Sequence, residues 1–402
     1  MSQERIGVWF IGAWGGVATT ATVGIAALQA GLSEETALVS SRPMFQDLGL
    51  IGWDQLLIGG HEIRQTNYAA EADVLYRNSR VFSPEMLSGT ATRLKEFDAN
   101  VRPGTLLNSG PTIAKFAEGE ILKHAQETPP QAITRLRKDM ADFKQRNKLT
   151  KVIVVNVSST EPPLDTEAPA SWSELEKLLQ NSKTSPVPPS SLYAIAALQE
   201  GFPYVNFTPS VGTNIPALYE LAEQLGVLHV GRDGKTGETL MKSILAPMFA
   251  DRNLKVMSWV GHNIFGNMDG KVLDDPINKA NKVRSKDHLL TEILGYKPQT
   301  LVSIEYIESM GDWKTAWDHI HFEGFLGTKM ALQFTWQGCD SLLAAPLVLD
   351  LIRFTEREHR RGKKGVMSFL SSFFKSPMGC DVPEFHSQYR LLQKWADEVR
   401  GK

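Results

Sequence analysis

The run Ile6-Gly7-Val8-Trp9-Phe10-Ile11, followed at once by Gly12-Ala13-Trp14-Gly15-Gly16-Val17-Ala18-Thr19-Thr20, constrains this chain more than any other feature. An apolar run without alternation suits a parallel strand buried on both faces. Small and apolar residues continue to Leu32, which predicts a helix that starts inside the glycine-rich turn and packs closely on the sheet. In a strand, turn and helix so arranged, backbone N–H groups and the helix dipole meet at one point and can bind a pyrophosphate.

Short apolar runs recur at 37–39, 152–157, 204–208 and 227–230, separated by segments long enough for helices, and that alternation predicts an α/β fold with a doubly wound parallel sheet. A chain of 402 residues exceeds what one hydrophobic core usually organises. Pro129 and Pro130, and the proline-rich stretch 184–191, read as surface connections. Beyond Gly237 the texture changes to a helical stretch at 240–250 and more alternating strands at 256–260, 301–307 and 330–336, so a second, α+β region is expected within 237–338. Three helices are expected at the end, over 342–355, 366–374 and 384–400.

The formal net charge of −2 gives no basic excess, so nucleic acid is not an expected partner. Two cysteines, Cys339 and Cys380, make no disulfide framework and show no metal-ligand spacing, which points to a reducing cytoplasm. The most apolar stretch, 341–354, is shorter than the roughly 18 residues of a spanning helix and contains Asp350 and Arg353, so no membrane association is expected. Neither HExxH nor GxSxG is present, which leaves metalloprotease and serine hydrolase chemistry without support.

Four groups of residues can carry chemistry. The spacing of the glycine turn is irregular for a dinucleotide fingerprint, and Ser40-Ser41-Arg42 stands where an acidic residue is expected after a second strand at 37–39, so Arg42 could suit the 2′-phosphate of NADP. The run Gly231-Arg232-Asp233-Gly234-Lys235-Thr236-Gly237-Glu238-Thr239 combines glycines, hydroxyls and a lysine ahead of a helix; it could cradle a phosphate monoester or be an ordinary solvated turn. Lys286, Lys314 and Lys375 each interrupt an element near apolar residues, where a lysine can act as acid or base or hold an oxyanion, although a lysine taken singly is more often a surface residue. The stretch 261–270, with Asn263, Asn267 and Asp269, could bind a nicotinamide, sugar hydroxyls or an ion, or simply turn the chain.

Read together and in order, these segments resemble the inositol-3-phosphate synthase (myo-inositol-1-phosphate synthase) family from Ile6 to Pro377. Residues 12–20 resemble its glycine-rich NAD loop in a bacterial variant with Val-Ala-Thr-Thr. Gly59-Gly60-His61-Glu62-Ile63 resembles Gly-Gly-Trp-Asp-Ile, which implies that Glu62 stands where an aspartate holds the adenosine ribose. Ser159-Thr160-Glu161 resembles an Asn-Thr-Glu motif beside the cofactor, and Asn206-Phe207-Thr208-Pro209-Ser210 resembles Asn-Gly-Ser-Pro-Gln. Residues 233–239 resemble Asp-x-Lys-Ser-Gly-Gln-Thr, 263–270 resemble Asn-His-Leu-Gly-Asn-Asn-Asp-Gly, and 340–346 and 368–377 match closely.

The resemblance implies a Rossmann-like NAD-binding domain from 1–236 and 339–402, and an inserted catalytic and tetramerisation domain over 237–338. Implied cofactor contacts are Gly12, Trp14, Gly15, Gly16, Val17, Ala18, Glu62, Ser159, Thr160, Thr208, Asp233, Asn267, Asp269 and Asp340. Implied substrate-phosphate contacts are Asp233, Lys235, Thr236, Gly237, Glu238 and Thr239, and implied catalytic residues are Lys286, Lys314 and Lys375. A lysine that the family carries four residues after Lys286 is Leu290 here; His288 or another residue compensates, or the substrate differs.

The implied reaction converts D-glucose 6-phosphate to 1D-myo-inositol 3-phosphate with NAD and no net redox change. Lys286 would take the carbon-5 hydroxyl proton, Lys375 and Lys286 would stabilise an enolate, and Lys314, with Asp312 or Asp340, would stabilise the alkoxide of an intramolecular aldol step. A monovalent or divalent cation could assist. A sugar-phosphate or polyol-phosphate dehydrogenase and a non-catalytic nucleotide sensor are the alternatives, and a homotetramer is the implied assembly.

Overall fold

The computed structural model describes residues 4–164, 167–267, 270 and 289–401. Lys286, His288 and Asp269 lie outside them. Six parallel strands come first: β1 (Ile6–Ile11), β2 (Leu56–Glu62), β3 (Val101–Pro103), β4 (Lys151–Asn156), β5 (Tyr204–Asn206) and β6 (Leu228–Gly231). Four strands of a second sheet follow, β7 (Lys255–Phe265), β8 (Gln299–Tyr306), β9 (Trp313–Glu323) and β10 (Lys329–Cys339). The short β11 (Gly365–Val366) then pairs with β6 and completes a seven-stranded parallel sheet in the order β11-β6-β5-β4-β1-β2-β3. The strand order reverses between β1 and β4. Such a switch point opens a crevice at the carboxyl ends of the strands, where ligands bind in doubly wound sheets.

Helices cover this sheet: α1 (Gly16–Gln29), α2 (Tyr68–Ser79), α3 (Pro84–Asp98), α4 (Pro111–Ala114), α5 (Pro129–Arg146), α6 (Trp172–Asn181), α7 (Pro189–Gln199) and α8 (Pro216–Leu225). All six residues of β1 are buried, as an apolar run without alternation requires. Helix α7 is buried over ten of its eleven residues, so it runs through the core. Helix α9 (Gly237–Asp251) leads into the second sheet, in the order β10-β9-β7-β8, and α10 (Asp340–Arg360) leads back out to pack on α1; α11 (Phe385–Arg400) closes the chain.

Three expectations are corrected. Residues 39–41 form a short 3-10 turn, not the second strand; Asp350 accepts the backbone N–H groups of Val39 and Ser40 at 2.7 and 2.8 Å and holds the turn against α10. Pro129 and Pro130 open α5 rather than a connection, because a proline in the first turn forfeits no helical bond and Thr128 with Gln131 forms a capping box there, and the stretch 184–191 likewise ends buried, with Pro189 opening α7. The expected helix over 366–374 is β11 plus a 3-10 turn (Ser368–Phe373), since its backbone is drawn into the sheet edge by Met367 N–H to His229 O (3.0 Å) and Lys375 N–H to Asp233 O (2.7 Å).

Leu290 is fully buried in the second region's core with Phe249, Val256, Trp259 and Ile320. A leucine there gains what apolar burial gives, where a lysine would pay for desolvation. Among the described residues no helix is long and apolar enough to cross a membrane.

Candidate active site

A cleft of about 480 Å³ runs along the carboxyl ends of the parallel strands and on to the second sheet. The glycine turn forms its floor. Gly12 has φ +80°, and a Cβ there would sit 2.8 Å from the Ser158 Cα, so both conformation and space demand glycine. Helix α1 then starts at Gly16 with Gly15 at its N-cap, no side-chain cap and no acidic residue in its first turn. Its first N–H groups are thereby left for an anion, and this fits the pyrophosphate of a dinucleotide.

Glu62 ends β2, so the acidic residue missing after residues 37–39 stands here instead. Its carboxylate accepts the N–H of Trp14 (2.9 Å), Ile63 (2.8 Å) and Arg64 (3.2 Å), which ties the strand end to the glycine turn. Arg42 lies elsewhere; its guanidinium donates to the Tyr389 hydroxyl at 2.5 Å and sits over that ring, so the structural basis for a 2′-phosphate contact from Arg42 is gone.

The loops after β4 and β5 are held by a buried amide network: the Asn156 side-chain N–H₂ donates to Asn206 Oδ1 (3.1 Å) and Thr208 Oγ1 (3.2 Å). Ser159, Thr160 and Thr208 line the cleft as a result. Beside them Glu161 accepts the Ser190 N–H (2.7 Å) and hydroxyl (2.6 Å), capping α7. Burial, opposed by the Ser190 bonds, pushes its carboxyl up to about 7. Between pH 4.5 and 7 the folded chain thus holds a proton that the unfolded chain has released, so this group's contribution is present at low pH and lost as pH rises through 7. The stability of the wild type relative to Glu161→Gln is expected to fall by about 1–3 kcal/mol from pH 5 to pH 8; urea titrations at the two pH values read it, and a flat difference would refute it.

Lys375 and the turn after β6 are zipped together. Arg232 and Ser376 exchange backbone bonds at 3.0 and 3.2 Å, and the Lys375 Nζ lies 2.9 Å from Asp233 Oδ1. Of the residues expected to hold phosphate, Asp233 and Thr236 line the cleft, while Lys235, Gly237, Glu238 and Thr239 do not. The Lys235 ammonium donates to Gln388 of α11, and burial pushes it down to about 7. Glu238 is equally buried; it pairs with Lys242 at 2.6 Å and accepts from Asn263 at 2.7 Å. Trp14 and Ala18 also leave the wall: the Trp14 indole donates to Asp98 (2.8 Å), and Ala18 is wholly buried.

At the far end Lys314 lies 4.0 Å from Asp340 and over the Phe265 ring, 4.9 Å from its centroid. Asn267 bridges Asp312 (3.2 Å) and Asp340 (3.3 Å). Asp312 also accepts from the Cys339 thiol and the Ser341 N–H and hydroxyl, and its carboxyl is raised by burial and by Asp340. Among the described residues no group of three or more His, Cys, Asp or Glu is placed to hold a metal ion. The structure therefore brings Gly12, Gly15, Gly16, Val17, Glu62, Ser159, Thr160, Thr208, Asp233, Thr236, Asn267, Lys314, Asp340 and Lys375 to one cleft. It adds Arg64 and Glu71, which no local motif marks, and Ser341 from the matched segment 340–346.

Known proteins share this sequence and fold. A family model described as myo-inositol-1-phosphate synthase matches residues 6–397. Inositol-3-phosphate synthase 1 of Bacteroides thetaiotaomicron is 35% identical over 414 residues, covering 97% of this chain and 93% of its own length. The crystal structure of inositol-3-phosphate synthase from Caenorhabditis elegans has a TM-score of 0.86 at 25% identity, over 98% of this chain and 86% of that one. A myo-inositol-1-phosphate synthase-related protein from Thermotoga maritima shares the fold, with a TM-score of 0.77 at 23% identity over 98% of both chains. With its glycine turn, acidic strand end and paired lysine motifs carried on that fold, the chain belongs to the myo-inositol-1-phosphate synthase family.

Proposed function

We infer that this chain is an NAD-dependent isomerase that converts D-glucose 6-phosphate to 1D-myo-inositol 3-phosphate. The observation that carries the reading is the single cleft in which a dinucleotide-type glycine turn and two lysines, Lys314 and Lys375, face the same space. When bound, NAD supplies a reversible two-electron acceptor, so that oxidation at carbon 5 and the later reduction there cancel.

The residues divide the remaining work. Thr236 and the opening N–H groups of α9 hold the substrate phosphate, with Asp233 fixing the Lys375 ammonium beside them, and this anchor brings carbons 1 and 6 of the open-chain sugar together. Gly237, Glu238 and Thr239 serve it through backbone and packing, and Lys235 serves it by fixing the turn to α11. Lys375, oriented by Asp233, stabilises the enolate oxygen formed when the substrate phosphate or a lysine takes the carbon-6 proton. Lys314, oriented by Asp340, gives a proton to the alkoxide that arises when carbon 6 adds to carbon 1. Lys286 receives the carbon-5 hydroxyl proton, a role that rests on the family motif alone. Glu62 faces the adenosine ribose and Asn267 the nicotinamide end, while a cofactor contact from Asp269 rests on the family motif alone.

The domain assignment is residues 1–236 with 339–402 for the cofactor and 237–338 for catalysis and assembly. The second sheet exposes Leu301 and Trp317 on the two strands that flank β7, a sheet face open to the contacts of a homotetramer. Free thiols at Cys339 and Cys380 suit the cytoplasm. Incubation with D-glucose 6-phosphate and NAD, followed by phosphorus NMR and absorbance, tests the activity. Inositol phosphate without accumulating NADH supports the isomerase; stoichiometric NADH would make it a dehydrogenase, and binding without turnover a sensor.

A further inference from the structure

Arg64 lies two residues past the end of β2, its guanidinium between two carboxylates, 3.5 Å from Glu62 and 3.3 Å from Glu71 in the first turn of α2. It also donates to the carbonyl of Trp14 in the glycine turn. All three charged side chains line the cleft, yet the mechanism above uses neither Arg64 nor Glu71. In doubly wound sheets an acidic residue at this strand end takes the ribose 2′-hydroxyl of NAD, whereas an arginine nearby accommodates the 2′-phosphate of NADP. This chain carries both residue types, and the arginine is outnumbered.

We propose that Glu71 is a specificity-determining residue for the cofactor: by pairing with Arg64 beside Glu62, it withholds the guanidinium from a 2′-phosphate and so favours NAD over NADP. The proposal rests on reading the cleft as the NAD site. A 2′-phosphate brought to this corner meets two carboxylates and one cation at close range, a net repulsion that the low dielectric of the cleft strengthens. Neutralising Glu71 leaves one cation facing one carboxylate and frees the Nη1 group that Glu71 holds. A charge-assisted bond from that group to phosphate is worth about tenfold or more in affinity. Glu62 cannot substitute for Glu71 in this role, because three backbone N–H groups already fix its oxygens.

The test is isothermal titration calorimetry of NAD and NADP against the full chain, its Glu71→Gln and Arg64→Ala variants and the double variant. Glu71 is part-exposed in the first turn of α2, and Glu71→Ala removes the same charge should the glutamine misplace it. The expected result is a shift of about tenfold in the ratio of the two dissociation constants towards NADP in Glu71→Gln, lost in Glu71→Gln/Arg64→Ala and reduced at high salt. An unmoved ratio with normal NAD binding overturns this inference alone. A shift that survives loss of Arg64 overturns it too, and a wild type that binds neither nucleotide overturns it together with the functional reading.

Discussion

Lys375→Met is expected to lower kcat by about 10²–10³-fold while the fold survives. The lysine is fixed from both ends: its backbone N–H bonds to the Asp233 carbonyl at 2.7 Å and its ammonium to the Asp233 carboxylate at 2.9 Å. Methionine keeps the backbone pairing and most of the volume but removes the charge that would meet a developing oxyanion. It also leaves the buried Asp233 without its cation, which destabilises the turn. The two effects separate in the Lys375→Met/Asp233→Asn double variant, where stability to urea should recover and turnover should not. Recovery of turnover along with stability would mean that Lys375 is a structural partner of Asp233 and nothing more.

Gly12→Val should weaken NAD binding by at least about 100-fold, the loss of two or more charge-assisted backbone contacts. At φ +80° a β-branched residue is strained whatever the space, and the atom it meets at 2.8 Å, the Ser158 Cα, belongs to backbone and cannot rotate away. Relief must come by moving the loop after β4 or the turn itself. Either motion displaces the N–H groups at the start of α1 and the Trp14 bond to Glu62. A calorimetric NAD titration reads the effect, and wild-type affinity in a folded Gly12→Val protein would show that the turn does not hold the cofactor.

What the sequence made legible follows from where the information lies. β1, α1, α9 and α11 are local patterns, an apolar run or a periodic helix with its ends marked, and the structure has them within a few residues of expectation. β2 escaped because Gly59 and Gly60 depress any strand signal; the reason for glycine at 60 is tertiary, since a Cβ there would lie 2.4 Å from the Phe10 carbonyl of the neighbouring strand. That omission displaced the second strand to 37–39 and made Arg42 a false candidate for 2′-phosphate. Residues 366–374 are apolar enough for a helix, and only pairing with β6 and the Asp233 turn decides otherwise.

In the site, Lys314, Lys375, Asp233 and Asp312 were marked by motif order, whereas Arg64 and Glu71 become visible only when chain segments far apart in sequence meet. Lys235 shows the converse. A lysine in a phosphate-like motif suggests a ligand, and α11, more than 140 residues later, turns it into a packing residue.

The central claim, that oxidation and reduction close on the same carbon within one turnover, is tested most directly with D-glucose 6-phosphate deuterated at carbon 5 and the purified enzyme with NAD. The expected product is inositol phosphate that retains deuterium at the carbon derived from carbon 5, with no isotope in the free NADH pool. Deuterium released as free reduced nucleotide alongside an uncyclised keto sugar phosphate would contradict the account.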